Sequence, residues 1–280
     1  MKPKTISILL WVVAFVLTMG IAAYQRMTGP TYPKTGKFDF DGKSYPYKLI
    51  RTWDGSGDAR ITVLIHDTTI HARIRYHRFP SHDVWTVKNL QRHGDTLIGF
   101  LPHQAPSGKV EYNVKLIRFG KDFNYLYQGP IHLRYKGQVP VYILLPHILL
   151  MFLAMLFSTR AGMEAFRKGR GKITLNYTWV VIVTLFLGGL ILGPLVQKFA
   201  FDTYWSGWPV GHDLTDNKSA VAFIFWVIAL VMLFRNKEKQ GWGIVASIVL
   251  LIVFLIPHSM LGSEIDYSKQ PPATEQTSGK

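Results

Sequence analysis

Five stretches of this 280-residue chain are almost free of charged residues, and they constrain the fold more than any other feature. Each has about the number of residues that a helix needs to cross roughly 30 Å of hydrocarbon. The five segments are Thr5–Tyr24, Val139–Thr159, Ile173–Val196, Ser219–Phe234 and Trp242–Leu261. We therefore predict a membrane α-helical bundle of five transmembrane helices, embedded in the lipid bilayer.

Basic residues gather at one end of these segments, where short connections of membrane proteins carry Lys and Arg on the cytoplasmic side. They precede the first segment and fill the second and fourth connections: Lys2, Lys4, Arg160, Arg167, Lys168, Arg170, Lys172, Arg235, Lys237 and Lys239. The opposite connections contain only Lys198 and Lys218. This asymmetry predicts a bacterial inner-membrane protein with its amino terminus inside and its carboxyl terminus outside. It also accounts for much of the net charge of +15, so we expect no nucleic-acid partner.

The first segment has two interpretations. Residues 1–27 have basic residues, an apolar run and small residues near its end, as a cleavable signal peptide does. A run of about twenty uncharged residues favours a retained amino-terminal anchor instead. Either interpretation leaves the orientation of the other segments unchanged.

Residues 28–138 contain no comparable apolar run and predict a soluble extracytoplasmic domain. Their apolar residues alternate with polar ones, which is typical of half-buried strands. We predict seven strands: Tyr45–Trp53, Arg60–His66, Ile70–His77, Val84–Leu90, Thr96–Leu101, Val110–Ile117 and Ile131–Tyr135. Short strands at this spacing indicate an all-β Ig-like or fibronectin-like sandwich. The chain has no cysteine, so this domain has no disulfide and its own core must stabilise it.

The remaining residues form a membrane domain and a tail. Residues 139–262 carry the other four predicted helices, with an outer loop at 197–218. Gly189 and Gly193 have the small-xxx-small spacing of closely packed membrane helices. Residues 263–280 are polar, and we predict a disordered periplasmic tail.

Two of the apolar segments carry a Pro-His pair, Pro146-His147 and Pro257-His258. Ionisable groups inside a bilayer segment are costly, so they are functional candidates. The predicted orientation places both near the outer face at similar depth. Two facing imidazoles can ligate a b-type haem or bind and deprotonate a quinol, so we predict His147 and His258 as cofactor-binding residues. The structural alternative is that each histidine satisfies the carbonyl freed by its proline or simply reaches the membrane interface.

The outer loop supplies a third imidazole and two carboxylates. His212, Asp213 and Asp216 have the chemistry of a metal site, and we predict them as candidate metal ligands. The alternative is structural, because Asp and Thr before an apolar helix are good N-caps. The aromatic residues Tyr204, Trp205 and Trp208 of the same loop are typical of a membrane interface.

The sequence lacks a phosphate-binding glycine loop, a Gly-x-Ser-x-Gly elbow and a His-Glu-x-x-His pair, so it favours no hydrolase or ATPase. We therefore expect a binding, assembly or accessory subunit of an envelope complex that acts through its β domain, more readily than an enzyme. One alternative is a membrane redox, metal or haem protein, or a quinol-binding subunit, using His147 and His258 with His212. A second alternative is a small-molecule or lipid carrier.

Overall fold

The structure is a computed structural model that describes residues 3–40, 42–119, 121–211, 213–258, 262 and 264–271, with the backbone alone at 3 and 121–123. The chain forms two compact units. The first contains Met1–Pro30 and Val139–Gly262, and the second contains Thr31–Gln138 and Ser263–Lys280. The first is helical and the second is built from strands.

The helical unit contains the predicted apolar helices. They are α1 (Pro3–Thr28), α2 (Val141–Ala165), α3 (Gly171–Leu185), α4 (Gly193–Phe201), α5 (Leu214–Arg235) and α6 (Gly241–Leu255). A π-helical segment, Phe186–Leu192, joins α3 to α4, so these two form one continuous rod. Four of the five resulting helices are long and apolar enough to cross a membrane. The fifth, α6, has 15 residues and is about 22 Å long.

Helix α2 extends further than its apolar run predicts. The sequence places Arg160 in the second connection, but the helix continues to Ala165. Arg160 and Glu164 lie on its last turns with only 1% of each side chain exposed, and their nearest atoms are 2.6 Å apart. The pair holds the helix together where composition alone suggests a loop.

Small residues allow the helices of this unit to approach closely. The buried side chains of Ala161, Ala222 and Ala246 lie in its core with the fully buried Trp226. A Cβ atom at Gly188 would lie 2.8 Å from Leu150 Cβ, so α2 and the π-helical segment can pack only with glycine there. The packing interpretation of the glycine-rich segment is consistent with these contacts, with Gly188 making the closest approach.

The second unit has more strands than its sequence pattern predicts. They are β1 (Lys34–Phe40), β2 (Lys43–Leu49), β3 (Thr52–Trp53), β4 (Ala59–Leu64), β5 (Ile70–Phe79), β6 (Thr86–Asn89), β7 (Gln91–His93), β8 (Thr96–Leu101), β9 (Lys109–Arg118), β10 (Lys121–Tyr125) and β11 (Ile131–Tyr135). Strands β1, β7 and β10 were not predicted. Strand β7 has three polar residues, and β1 and β10 are rich in Lys, Asp and Gly or Asn, which hide their alternation.

Three sheets surround one core. Strands β3, β11, β9, β5 and β6 lie side by side, and β10 also pairs with β9. Strands β4, β8 and β7 form a second sheet, and β1 and β2 form a third. All pairs are antiparallel except β11 with β3. One buried cluster takes side chains from all three sheets: Phe38, Tyr45, Leu49, Ile61, Val63, Ile70, Ile74, Leu97, Leu101, Tyr112, Leu116 and Leu133.

The residues after the helical unit return to the sheets. Tyr267 is buried, its hydroxyl donates to Gln104 Oε1 at 3.1 Å, and the Arg78 guanidinium lies 4.8 Å from its ring centroid. Glu264 forms an ion pair with Lys109. The prediction of a disordered tail from residue 263 is therefore wrong for residues 264–271. Residues 272–280 lie outside the described part of the chain.

Candidate functional site at one end of the helix bundle

The two predicted cofactor-binding histidines line one cavity of the helical unit. This cavity has a volume of about 160 Å³. Its polar lining side chains are His147, His258, Gln25 and Thr18. The remaining lining is apolar and comes from α1, α2 and the end of α6: Ala22, Ile148, Met151, Phe152, Met155 and Phe254. The structure thus brings together the two imidazoles that the sequence singles out.

His147 is held in place by the π-helical segment. Its Nδ1 atom lies 2.9 Å from the carbonyl oxygen of Gly188. A carbonyl oxygen can only accept, so Nδ1 carries the proton and donates. The neutral ring then has a lone pair on Nε2 that can accept a hydrogen bond from a ligand. The structural alternative, in which His147 bonds the carbonyl freed by Pro146, is not what the structure shows.

The π-helical segment has a local sequence cause. Pro194 follows Gly193 and has no N–H group, so the regular α-helical hydrogen bond to the preceding turn is missing. Single π-helical turns inside α-helices often occur at functional sites. Here the segment presents the Gly188 carbonyl to the His147 ring.

His258 lies just beyond α6 rather than inside a helix. The helix ends at Leu255, and Ile256 has an extended backbone with φ −78° and ψ 115°. The residue before a proline avoids the helical region, so Pro257 ends the helix. The second Pro-His pair therefore acts as a helix stop and leaves His258 at the cavity.

Two side chains that the sequence did not single out support this end of α6. Gln25 Nε2 donates to the carbonyl oxygens of Phe254 at 2.8 Å and Ile256 at 3.3 Å. Lys218 Nζ donates to the same Ile256 oxygen at 2.6 Å. Carbonyls at a helix end lack partners within the helix, and these contacts satisfy them. Gln25 and Lys218 thus fix the backbone that carries His258.

The two carboxylates that were predicted as metal ligands close the outer loop. Asp213 is the N-cap of α5 and accepts from the Thr215 N–H at 2.7 Å. Asp216 accepts from the backbone N–H groups of Ser206 at 2.7 Å and Gly207 at 3.0 Å. Both residues are buried. The Asp213 contact matches the N-cap alternative, and Asp216 instead joins the loop backbone to the first turn of α5. His212 lies outside the described residues.

The loop and the cavity are close enough to influence each other electrostatically. His258 interacts with the charges of Lys218 and Asp213 as well as with His147. Lys218 in turn interacts with Asp213. These four groups therefore belong to one polar cluster beside an apolar cavity.

The size of the cavity limits what it can hold. A cavity of about 150 Å³ holds one benzene ring, so a volume of 160 Å³ accepts one ring-sized group. A tetrapyrrole is several times larger, so this cavity does not fit the predicted b-type haem. Among the described residues no group of three His, Cys, Asp or Glu side chains is arranged to hold a metal ion. Two imidazoles, an amide and a hydroxyl can instead exchange hydrogen bonds with a small ring that bears oxygen atoms.

Comparison with known proteins provides no further guide to this site. No protein-family model, curated protein or solved structure matches the chain.

Proposed function

We propose that this protein is a membrane subunit that binds a lipid-soluble, oxygen-bearing ring compound of the quinol type in the cavity between His147 and His258. The observation that supports it is a ring-sized, mainly apolar cavity lined by two imidazoles. A small number of polar side chains in an otherwise apolar pocket fix the orientation of a ligand. Met151, Met155, Phe152 and Phe254 supply the apolar contact with the ring.

The hydrogen-bonding roles follow from the tautomer of His147. Its Nδ1–H donates to Gly188, so Nε2 is the acceptor for a ligand hydroxyl. A neutral His258 has one donor and one acceptor nitrogen and can bond the second oxygen of a hydroquinone or a quinone.

Direct titration tests this proposal. The full chain in lipid nanodiscs is titrated with decylhydroquinone, which has one ring and one alkyl chain. His147→Leu and His258→Leu should each weaken binding by about 2- to 13-fold, because one hydrogen bond contributes about 0.5–1.5 kcal/mol. Decylbenzene has no oxygen, so its affinity should be the same for the wild type and both variants.

His82→Leu is the matched control, since His82 is an exposed histidine of the β domain. It should bind decylhydroquinone as the wild type does. Equal affinity of the wild type, His147→Leu and His258→Leu for decylhydroquinone would contradict the proposal.

We further propose a bacterial inner-membrane location with the amino terminus inside and the β domain on the periplasmic side. The gathering of basic residues at one end of the helices supports this orientation. We also propose that the β domain belongs to the Ig-like or fibronectin-like sandwich class. One core shared by antiparallel sheets supports that class, and the parallel pairing of β3 with β11 is a departure from it.

A second candidate function is that of an accessory subunit that docks an envelope partner through the β domain. Arg75 is exposed on β5, and its guanidinium lies 4.5 Å from the Trp85 ring and 5.8 Å from the Tyr125 ring. Asn113 holds its Nε atom at 2.9 Å. Arginine, tryptophan and tyrosine are the residues that most often carry binding energy in protein interfaces.

Affinity purification in mild detergent tests this second candidate. A partner protein should co-purify with the wild type and be lost from an Arg75→Ala, Trp85→Ala variant. Lys37→Ala, on β1, is the exposed control and should retain the partner. A wild-type chain that purifies alone from cross-linked membranes would count against a partner at this surface.

A further inference from the structure

The end of the helix bundle that carries the carboxyl terminus of α2 brings two short connections together. Residues 166–170 follow α2, and residues 236–240 precede α6. Gln240 Nε2 donates to the Arg167 carbonyl oxygen at 3.1 Å. A Cβ atom at Gly171 would overlap the Lys237 carbonyl, so the two connections lie in contact. Together with the adjoining helix-end residues Lys172 and Arg235 they form one surface, which we call the cationic rim.

Three arginines of this end share a single carboxylate. The carboxylate oxygens of Glu164 lie 2.6 Å from Arg160 Nη1, 2.9 Å from Arg167 Nη1 and 3.5 Å from Arg170 Nε. Arg160 is 1% exposed, so it depends most on Glu164 for neutralisation. One carboxylate neutralises one guanidinium. Arg167 and Arg170, whose side chains are 24% and 34% exposed, therefore keep a net positive charge.

More exposed cations surround these two arginines. The exposed basic residues of the cationic rim are Lys168, Lys172, Arg235, Lys237 and Lys239. Glu238 is the one acidic side chain within residues 166–172 and 235–240, all of which are described. Two aromatic residues accompany these cations. Phe166 lies within the rim and Phe234 precedes Arg235, and the two residues are 72% and 71% exposed. A surface with apolar rings beside several cations matches the boundary between acyl chains and charged headgroups.

We propose that the cationic rim is a binding site for the phosphate headgroup of an anionic phospholipid. Guanidinium groups bind phosphate through two parallel hydrogen bonds, and lysines add charge around it. Basic clusters at the ends of membrane helices bind anionic headgroups with about 1 kcal/mol for each residue near the surface. The helices end at this rim, so an anionic headgroup in the adjoining leaflet lies next to Arg167, Arg170 and Lys237.

Lipid selectivity of the full chain in bilayers tests this site. Spin-labelled phosphatidylglycerol and phosphatidylcholine are compared by electron paramagnetic resonance in phosphatidylcholine vesicles that contain the protein. The wild type should prefer phosphatidylglycerol, and the preference should fall as salt rises from about 0.01 to 1 M. The double variant Arg167→Gln, Arg170→Gln should reduce the preference for phosphatidylglycerol severalfold, by up to about fivefold for each charge removed.

A second variant keeps the test decisive if loss of the arginines disturbs folding. This is the triple variant Lys168→Gln, Lys237→Gln, Lys239→Gln, which changes exposed side chains only. It should also lower the preference for phosphatidylglycerol. Lys37→Gln, Lys48→Gln removes exposed charges from the β domain and should leave the preference unchanged. Equal retention of both labelled lipids by the wild type, or an unchanged preference in the triple variant, would overturn the proposal. Neither result depends on a ligand in the histidine cavity.

Discussion

Replacing Glu164 by glutamine should lower the free energy of unfolding of the helical unit by about 3–5 kcal/mol. The change leaves Arg160 buried with 1% of its side chain exposed and without its carboxylate at 2.6 Å. Trp11 and Tyr177 lie over its guanidinium at 5.4 Å and 5.2 Å, but ring contacts do not neutralise a buried charge. Unfolding of the full chain by sodium dodecyl sulfate in mixed micelles measures the effect.

Two further variants separate charge from packing. Glu238→Gln removes an exposed carboxylate and should change the stability by no more than about 0.5 kcal/mol. Arg160→Met, Glu164→Met removes both buried charges and should recover most of the loss, because apolar residues often replace a buried ion pair at little cost. A Glu164→Gln protein as stable as the wild type would show that Arg160 does not need this partner.

Truncation of Tyr112 to alanine should destabilise the β domain by about 3–5 kcal/mol, as for other large buried aromatic residues. Tyr112 is fully buried in the middle of β9, and its hydroxyl donates to the Ile50 carbonyl at 2.7 Å. Burial raises the pKa of the Tyr112 phenol, so the group stays neutral and keeps this donor at every pH near neutrality. Amide hydrogen exchange of peptides from β5 and β9 in the full chain measures this destabilisation as faster exchange.

Two controls accompany the Tyr112 measurement. Tyr112→Phe keeps the ring and removes only the hydrogen bond, so it should cost about 1–3 kcal/mol. Phe100→Ala truncates an aromatic residue of β8 that is 51% exposed and should have a much smaller effect. Similar exchange rates in Tyr112→Ala and Phe100→Ala would contradict a shared core centred on β9.

Much of the architecture can be predicted from the sequence, because it rests on local patterns. Apolar runs predict five helices, of which four are long and apolar enough to cross a membrane, and alternation in Ile70–His77 predicts the central strand β5. Helix ends are harder. Arg160 and Glu164 form an i,i+4 ion pair in the last turns of α2, and no hydropathy pattern reports that.

The site is only partly predictable for the same reason. A histidine after a proline in an apolar segment is a visible signal, and it singles out His147 and His258, which line the same cavity. Gln25 contacts a helix end 229 residues away in the chain, and Lys218 contacts the same helix end 38 residues away. No local spacing connects either residue to it. A lysine within the first turns of an apolar helix was the one available signal for Lys218. The π-helical segment follows from Gly193-Pro194. The hydrogen bond between His147 and Gly188 joins two different helices, so only the folded structure shows it.

The most direct test of the ligand site is nuclear magnetic resonance of the full chain labelled with ¹⁵N-histidine. Without ligand, the neutral ring of His147 should carry its proton on Nδ1, because Nδ1 donates to Gly188. Addition of decylhydroquinone should shift the unprotonated Nε2 resonance of His147 and a ring resonance of His258, while His82 stays unchanged. Resonances of His147 and His258 that do not move at saturating ligand would contradict a quinol-type site in this cavity.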